Sequence, residues 1–215
     1  MGKDGALLED REKMKEISDI PDHEVSITCE GEEQSFDSGP GLLRAIGIPD
    51  VIITSGYLRN NQTYHGIKKG VRGAWDNVPF KEDYLIRERE TGYCWRLTKE
   101  DSDTHFPYLS GHWMVVGGLF SRPPGGESLM DVIENRLYRF VDKICQKYSG
   151  KNVCLITHGR VKTGLRAILE DLSIHQIEEI INDPELGPKN VGLTSYKYDP
   201  WVGRLCLHSY NQTFH

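Results

Sequence analysis

At 215 residues, with 38% hydrophobic and 27% charged residues, the chain has the length and composition of one globular domain. Its net charge of -6 argues against a general nucleic-acid binder, because affinity for phosphate backbones requires clustered cations. Five scattered cysteines without a C-x-x-C pair, and the lack of an apolar run long enough to cross a bilayer, predict a soluble, cytoplasmic protein that is not membrane-bound.

Two short apolar runs, at 50–54 and 152–157, predict buried strands. The first is followed by a stretch compatible with a helix over about 58–67, and the second by a helical pattern that begins after His158. Strands that alternate with helices in this way favour an α/β fold built on a parallel sheet.

Further elements fill the rest of a single domain over 1–215. A helix is predicted over about 129–148, where apolar residues recur at three- and four-residue spacing after Ser128 as N-cap. A shorter helix follows Ser173, and the last two apolar runs, at 193–198 and 204–210, predict a strand pair. The stretch at about 92–126 carries tryptophans, glycines and a Pro-Pro pair, and is predicted as an irregular insert or lid over the substrate.

Polar residues follow both predicted strands. His158 comes directly after the second, and Arg59 lies about one helical turn beyond the first. In open α/β sheets ligands bind beyond the carboxyl ends of the strands, where a guanidinium can bind a phosphate with two parallel hydrogen bonds. Each residue alone also has an ordinary interpretation: Arg59 as a surface cation, His158 as a structural residue, and Glu88 as part of the charged run at 87–90.

The joint pattern resembles the histidine phosphatase superfamily, the phosphoglycerate-mutase-like proteins. The segment SGYLRNNQT at 55–63 is similar to the family's S-x-x-x-R-x-x-x-T motif, and LITHG at 155–159 to its second-histidine motif. PDH at 21–23 and SITCEGEEQ at 26–34 resemble the family's P-D-H and L-T-x-x-G-x-x-Q segment, which precedes the S-x-x-x-R-x-x-x-T motif. ERETG at 88–92 resembles the acid motif, and GGES at 125–128 the start of the next long helix. These matches run in the family's order from about 21 to 190.

The resemblance implies a three-layer sandwich with a mostly parallel central sheet flanked by helices. It also implies a metal-independent reaction, without a cofactor, on a small phosphorylated substrate, with inorganic phosphate as a ligand. Arg59 would bind the transferred phosphoryl group, Glu88 would donate a proton to the leaving oxygen, and His158 would contact the phosphate and stabilise its developing charge. Hydrolysis and mutase chemistry both fit, and the oligomeric state stays open.

One family motif is missing. The reaction runs through a phosphohistidine whose nucleophile lies in an R-H-G motif after the first strand, and this sequence has no R-H-G and no apolar run before Pro21. We therefore expect the first strand to be absent, parallel-strand edges to be exposed, and turnover to be low. The alternatives are a non-catalytic phosphate-binding domain and a metal-dependent hydrolase. For the latter, His105 and His112 with Asp101 and Asp103 match no strong ligand spacing.

Overall fold

The computed structural model describes residues 20–95 and 97–215. A 3-10 turn at Asp22–Glu24 precedes the first long helix. The helices are α1 (Cys29–Ile46), α2 (Leu58–Gly70), α3 (Lys99–His105), α4 (Pro107–Phe120), α5 (Leu129–Val132), α6 (Tyr138–Lys147), α7 (Gly159–Glu170) and α8 (Ile174–Asn182). The strands are β1 (Val51–Thr54), β2 (Phe80–Glu82), β3 (Val153–Ile156), β4 (Leu193–Asp199) and β5 (Arg204–Gln212).

A parallel three-stranded sheet in the order β2-β1-β3 lies at the centre of the fold. Side chains alternate between the two faces of a strand, so the apolar run of β1 serves two cores at once. Val51 and Ile53 pack against α5 to α8, whereas Ile52 packs against α1 and α2. Helices therefore cover both faces of the sheet, and the predicted α/β fold with a parallel sheet flanked by helices is confirmed.

Helices α1 and α2 cross at very short range on one face. A Cβ added at Gly39 would lie 2.6 Å from the carbonyl carbon of Gly70, so both helices need glycine at the crossing. Thr28 starts α1, because its hydroxyl oxygen accepts a hydrogen bond from the N–H of Gly31 at 3.1 Å.

The long helix predicted over 129–148 is interrupted. Ser128 caps its start in a reciprocal capping box with Asp131, as predicted, but a π-helical segment at Ile133–Leu137 separates α5 from α6. A π segment inserts one residue per turn and often marks a functional site. Here it places Arg136 in the protein interior, next to the segment that carries Glu88.

The stretch at 92–126 is more regular than its composition predicts. It contains α3 and α4, and the prediction of an irregular segment is wrong for these two helices. Thr98 and Asp101 form a capping box at the start of α3, and Pro107 begins α4, where a missing N–H costs nothing. Its role as a lid stays a prediction.

The C-terminal strand pair forms as predicted, with β4 and β5 antiparallel. Within residues 20–95 and 97–215, β3 pairs with β1 alone and β4 with β5 alone, so one edge of each carries no neighbouring strand. The expected absence of a strand before Pro21 concerns residues 1–19, which lie outside the described residues. No helix in the described part of the chain is long and apolar enough to cross a membrane.

Candidate active site

Arg59 and His158 meet at the carboxyl edge of the sheet. β1 and β3 are parallel neighbours, so the segments that leave them emerge side by side. Arg59 lies in the first turn of α2, and His158 is the residue before α7. The Nε–H of Arg59 donates to Nδ1 of His158 at 3.3 Å. The two predicted residues, 99 positions apart in sequence, form one cluster.

The hydrogen bonds of His158 define which ring nitrogen carries its proton. Because Arg59 can only donate, Nδ1 is the acceptor and the proton of the neutral ring lies on Nε2, where it can be donated to Oγ of Ser55 at 2.8 Å. Asn60 in turn donates to Ser55 Oγ at 3.1 Å and to the carbonyl of Ile156 at 2.9 Å. This network holds the imidazole in one orientation.

His158 is neutral in this setting. Burial, with the nearby positive charges of Arg59 and Arg136, lowers its pKa from 6.5 to about 3. The side chain is only 7% exposed. At neutral pH the ring is therefore an uncharged hydrogen-bond donor beside a guanidinium.

The guanidinium of Arg59 also binds Asp22, a contact that the sequence did not predict. Its Nη1 donates to the Asp22 carboxylate at 2.8 Å and to the Asp22 carbonyl oxygen at 2.6 Å. Asp22 belongs to the PDH segment, which the sequence identified by resemblance without assigning it a contact. The carboxylate binds Arg59 as an anionic ligand would.

Glu88 lies half-buried in the same cluster. Burial raises the pKa of its carboxyl group. Weaker effects lower this pKa, among them the hydrogen bond from the backbone N–H of Arg89, the positive charge of Arg59, and the hydrogen bond from the backbone N–H of Arg160, the second residue of α7. The balance favours the protonated form more than in an exposed glutamate. Arg59 and His158 are in contact, and Glu88 lies close enough for the charge of Arg59 to lower the pKa of its carboxyl group.

Arg136 holds the segment that carries Glu88. Its guanidinium donates to the carbonyl of Arg87 at 2.9 Å and more weakly to those of Leu85 and Glu88, both at 3.4 Å. It also pairs with Glu127 at 2.8 Å. Sequence reasoning missed Arg136, although one signal was available. It lies between Ile133 and Leu137 on the apolar stripe of a predicted amphipathic helix, where a lone cation requires a buried partner.

A cavity of about 750 Å³ opens beside this cluster. Its wall combines aromatic, acidic and small residues from three stretches: Asp22, His23, Ser55, Gly56, Tyr57, Glu82, Tyr84, Glu90, Thr91, Gly92 and Trp95. The ring centroid of Tyr57 lies 5.0 Å from that of His158, so the cavity and the cluster share a boundary. Among the described residues, no group of three or more His, Cys, Asp or Glu side chains is placed to hold a metal ion.

Residues 13–208 match the family model described as the histidine phosphatase superfamily, branch 1. The chain belongs to the histidine phosphatase superfamily.

The histidine phosphatase relatives with similar sequences include phosphoglycerate mutases. The 2,3-bisphosphoglycerate-dependent phosphoglycerate mutase 2 of Gloeobacter violaceus is 33% identical over 106 residues, which cover 48% of this chain and 48% of the mutase. The 2,3-bisphosphoglycerate-dependent phosphoglycerate mutase of Methylobacterium radiotolerans is 26% identical over 156 residues, covering 72% of each chain. The chain therefore spans about half the length of the first relative and less than three quarters of the second.

Solved histidine phosphatase structures share the fold. A mycobacterial glucosyl-3-phosphoglycerate phosphatase in complex with inorganic phosphate superposes with a TM-score of 0.70 at 20% identity, covering 87% of this chain and 88% of the phosphatase. YhfR of Bacillus stearothermophilus gives a TM-score of 0.71 at 22% identity, covering 88% and 86%. At such identities the likeness establishes the fold alone.

The superfamily motifs quoted from the sequence have distinct places in this fold. SGYLRNNQT joins the end of β1 to α2, and LITHG joins β3 to α7. SITCEGEEQ contains the N-cap of α1, and GGES supplies both Glu127, which binds Arg136, and the Ser128 cap of α5. Of these four motifs, two deliver site residues and two begin helices; of the remaining two, ERETG at 88–92 carries Glu88, and PDH at 21–23 carries Asp22.

Proposed function

We propose that the chain is a phosphoryl-transfer domain of histidine-phosphatase type, which together with a nucleophilic histidine would act on a phosphate ester of a small metabolite through a phosphohistidine. Arg59 binds the phosphoryl group, Glu88 donates a proton to the leaving oxygen, and His158 stabilises charge on the phosphoryl oxygens. The proposal rests on the convergence of these three side chains at the carboxyl edge of the sheet.

The chemistry of each side chain supports its role. Phosphoryl transfer depends chiefly on positioning and on stabilising charge, which suits a guanidinium held at a strand end. A carboxyl group can donate a proton near neutral pH only if its pKa is raised, and burial raises that of Glu88. His158 is neutral and buried, and its Nε2–H, which here donates to Ser55 Oγ, would stabilise developing charge by exchanging that partner for a phosphoryl oxygen, a hydrogen bond that is strong in a buried site.

The comparisons support phosphate esters as the substrate class. The sequence relatives are named as phosphoglycerate mutases, and the structural relatives include a phosphatase with inorganic phosphate and the same phosphatase with vanadate. Hydrolysis and mutase chemistry share this core, and we favour hydrolysis or transfer on a small metabolite without choosing between them.

A non-catalytic phosphate-binding domain is the second candidate, because the sequence has no R-H-G triplet to supply the nucleophile. For this chain we predict little or no turnover of a general phosphomonoester such as p-nitrophenyl phosphate. The coding sequence directly upstream of Met1 separates the two candidates: an in-frame Arg-His pair favours the enzyme, and its absence favours the binding domain. A metal-dependent hydrolase would lose activity with a chelator, whereas the phosphohistidine route would not.

Binding of inorganic phosphate to the chain tests the site assignment directly. We expect Arg59→Ala to weaken binding at least tenfold, because it removes the cation that forms two hydrogen bonds with the anion. Asp22→Asn should instead tighten binding several-fold, since it removes the negative charge that now pairs with Arg59. Isothermal titration calorimetry measures both changes.

The matched control is Arg204→Ala, an exposed arginine at the start of β5. It should leave phosphate binding unchanged, and circular dichroism should show that all three variants are folded. If Arg59→Ala binds phosphate as well as the original chain, the site assignment is wrong. A second test uses a protein extended at its N-terminus by a strand that ends in Arg-His-Gly. If Arg59→Ala and His158→Ala leave its rate of phosphomonoester hydrolysis unchanged, the catalytic roles are wrong.

A further inference from the structure

The cavity beside the phosphate-binding cluster is placed to receive the alcohol half of a phosphomonoester. Three residues belong to both regions: Asp22 pairs with Arg59, Ser55 bonds to His158, and Tyr57 packs edge-on against the same imidazole. A phosphate bound at Arg59 would therefore have its ester oxygen at the boundary with the cavity. The volume of about 750 Å³ lies in the range of small-molecule sites, roughly 300–1,000 Å³.

Acidic side chains outnumber basic ones on the cavity wall, but Arg59 and Arg87 lie directly beside it. Among the described residues that line it, Asp22, Glu82 and Glu90 are acidic, and there is no lysine or arginine. Two of these acids have partners, since Asp22 binds Arg59 and Glu90 binds Arg87 at 3.2 Å. Glu82 accepts a hydrogen bond from the amide of Asn61 at 2.8 Å, and no ion pair of Glu82 occurs in the described part of the chain. A second negative charge on the substrate, placed near Glu82, would therefore meet an unfavourable potential.

Aromatic rings form the rest of the binding surface. Tyr57, Tyr84 and Trp95 line the cavity. Tyr57 is only 6% exposed, and one face of Tyr84 carries the guanidinium of Arg87 at 4.2 Å from the ring centroid, so a ligand ring would pack chiefly against the rest of Tyr84 and against Trp95. The buried indole N–H of Trp95 has no hydrogen-bond partner within the described residues. Such an unpaired buried donor is costly.

Aromatic faces with carboxylate acceptors suit one kind of ligand. The faces pack against a saturated ring, and the carboxylates accept hydrogen bonds from its hydroxyl groups. A few placed polar groups in a mostly aromatic pocket usually determine specificity. We infer that the substrate is a phosphomonoester whose alcohol half is an uncharged hydroxylated ring, such as a sugar, and that an alcohol half carrying a carboxylate is disfavoured. The inference rests on the proposed function and adds the substrate class to it.

The test compares four ligands by calorimetric titration of the chain: inorganic phosphate, glycerol 3-phosphate, glucose 6-phosphate and 3-phosphoglycerate. The first reports the phosphate site alone, the second adds hydroxyl groups without a ring, the third adds the ring, and the fourth adds a carboxylate. We expect glucose 6-phosphate to bind most tightly, at least tenfold better than 3-phosphoglycerate, with glycerol 3-phosphate between them.

Variants of the cavity wall locate the preference. Glu82→Lys should reduce the ratio of the affinity for glucose 6-phosphate to that for 3-phosphoglycerate at least fivefold. Glu82→Gln, which keeps the contact with Asn61, should reduce this ratio less. Trp95→Ala should weaken the binding of glucose 6-phosphate several-fold and leave the binding of inorganic phosphate unchanged. Trp201→Ala is its control, because Trp201 is 96% exposed in the turn between β4 and β5.

The outcomes separate this inference from the proposed function. If phosphate binds through Arg59 but 3-phosphoglycerate binds as tightly as glucose 6-phosphate, the substrate class is wrong and the proposed function stands. Equal affinities for glucose 6-phosphate and glycerol 3-phosphate would show that the ring contributes nothing to binding, which contradicts the inference. If none of the four ligands binds, or if they bind equally well to the Arg59→Ala variant, the proposed function is wrong, and the inference is wrong with it.

Discussion

His158 is neutral because its surroundings exclude water and place two arginines nearby. A histidine whose pKa falls on folding binds its proton more readily in the unfolded chain. The stability that comes from keeping this ring neutral is therefore fully present above the pKa of the unfolded chain, 6.5. It is lost as the pH falls from there toward the folded-state pKa of about 3. The steepest loss from this one group is about 1.4 kcal/mol per pH unit.

We predict that His158→Asn flattens this dependence. The variant should be less stable than the original chain at pH 7.5, because it loses the bond with Arg59. Between pH 6.5 and 4 its free energy of unfolding should fall less steeply. Urea denaturation at a series of pH values measures both. His65→Asn, at an exposed position on α2, is the control and should run parallel to the original chain. Parallel curves for His158→Asn would contradict the burial argument.

At the level of single residues, sequence reasoning found what its patterns could encode. Arg59, Glu88 and His158 were predicted because each belongs to a motif, and the structure brings them together. Asp22 and Arg136 were missed for different reasons. The contact of Asp22 with Arg59 depends on how a 3-10 turn docks on α2, 37 residues away in sequence, and no local pattern encodes that distance. Arg136 broke the apolar stripe of its helix, which was a usable signal.

Helix α1 was not predicted, because its sequence argues against a helix. Gly39, Pro40 and Gly41 lie inside it, and both residue types have poor helix propensity. Packing overrides propensity here, since the glycines permit the close approach to α2 and the C-terminal Phe214. The three-residue strand β2 was also missed, because Phe80–Glu82 contains a single apolar residue and is recruited by pairing with β1.

The helix crossing gives a prediction at the level of elements. A Cβ at Gly39 would lie within 3 Å of backbone atoms of Gly70 and Val71, and backbone cannot move aside cheaply. We expect Gly39→Ala to lower the free energy of unfolding by about 1–3 kcal/mol or more, as overpacking does. Chemical denaturation followed by circular dichroism measures the change.

Gly111 in α4 provides the matched control, because an added Cβ there meets nothing within 4 Å. Gly111→Ala should be neutral or stabilise the protein by about 0.5–1 kcal/mol, as expected for alanine in a helix. Equal effects at the two positions would show that the crossing tolerates a wider separation than the structure has.

Across the whole molecule, the two core layers followed from the sequence, but the order of the strands did not. The apolar run of β1 alternates between the layers, as a strand buried on both faces must. Which strands pair depends on contacts between distant segments. The described residues place β3 and β4 in separate sheets, each with one edge that lacks a neighbouring strand.

We expect the chain to gain stability from an added strand. A version extended at its N-terminus by an apolar strand that ends in Arg-His-Gly should unfold at a higher temperature, because it covers unpaired backbone and adds core contacts. An extension of equal length and composition, with prolines that prevent pairing, is the control. Thermal unfolding followed by circular dichroism makes the comparison, and equal midpoints for the two would count strongly against the prediction.

Only part of the cavity wall lies on the same segments as the residues proposed to bind phosphate. Arg59 and His158 follow strands of the buried core, whereas Glu82 ends the edge strand β2, and Tyr84, Glu90 and Trp95 lie on the short segments beyond it. Substitutions in those segments disturb little of the interior, so ligand preference can drift from one descendant protein to another while the phosphate chemistry persists. Diversification on a constant reaction centre is the evolutionary consequence of that separation.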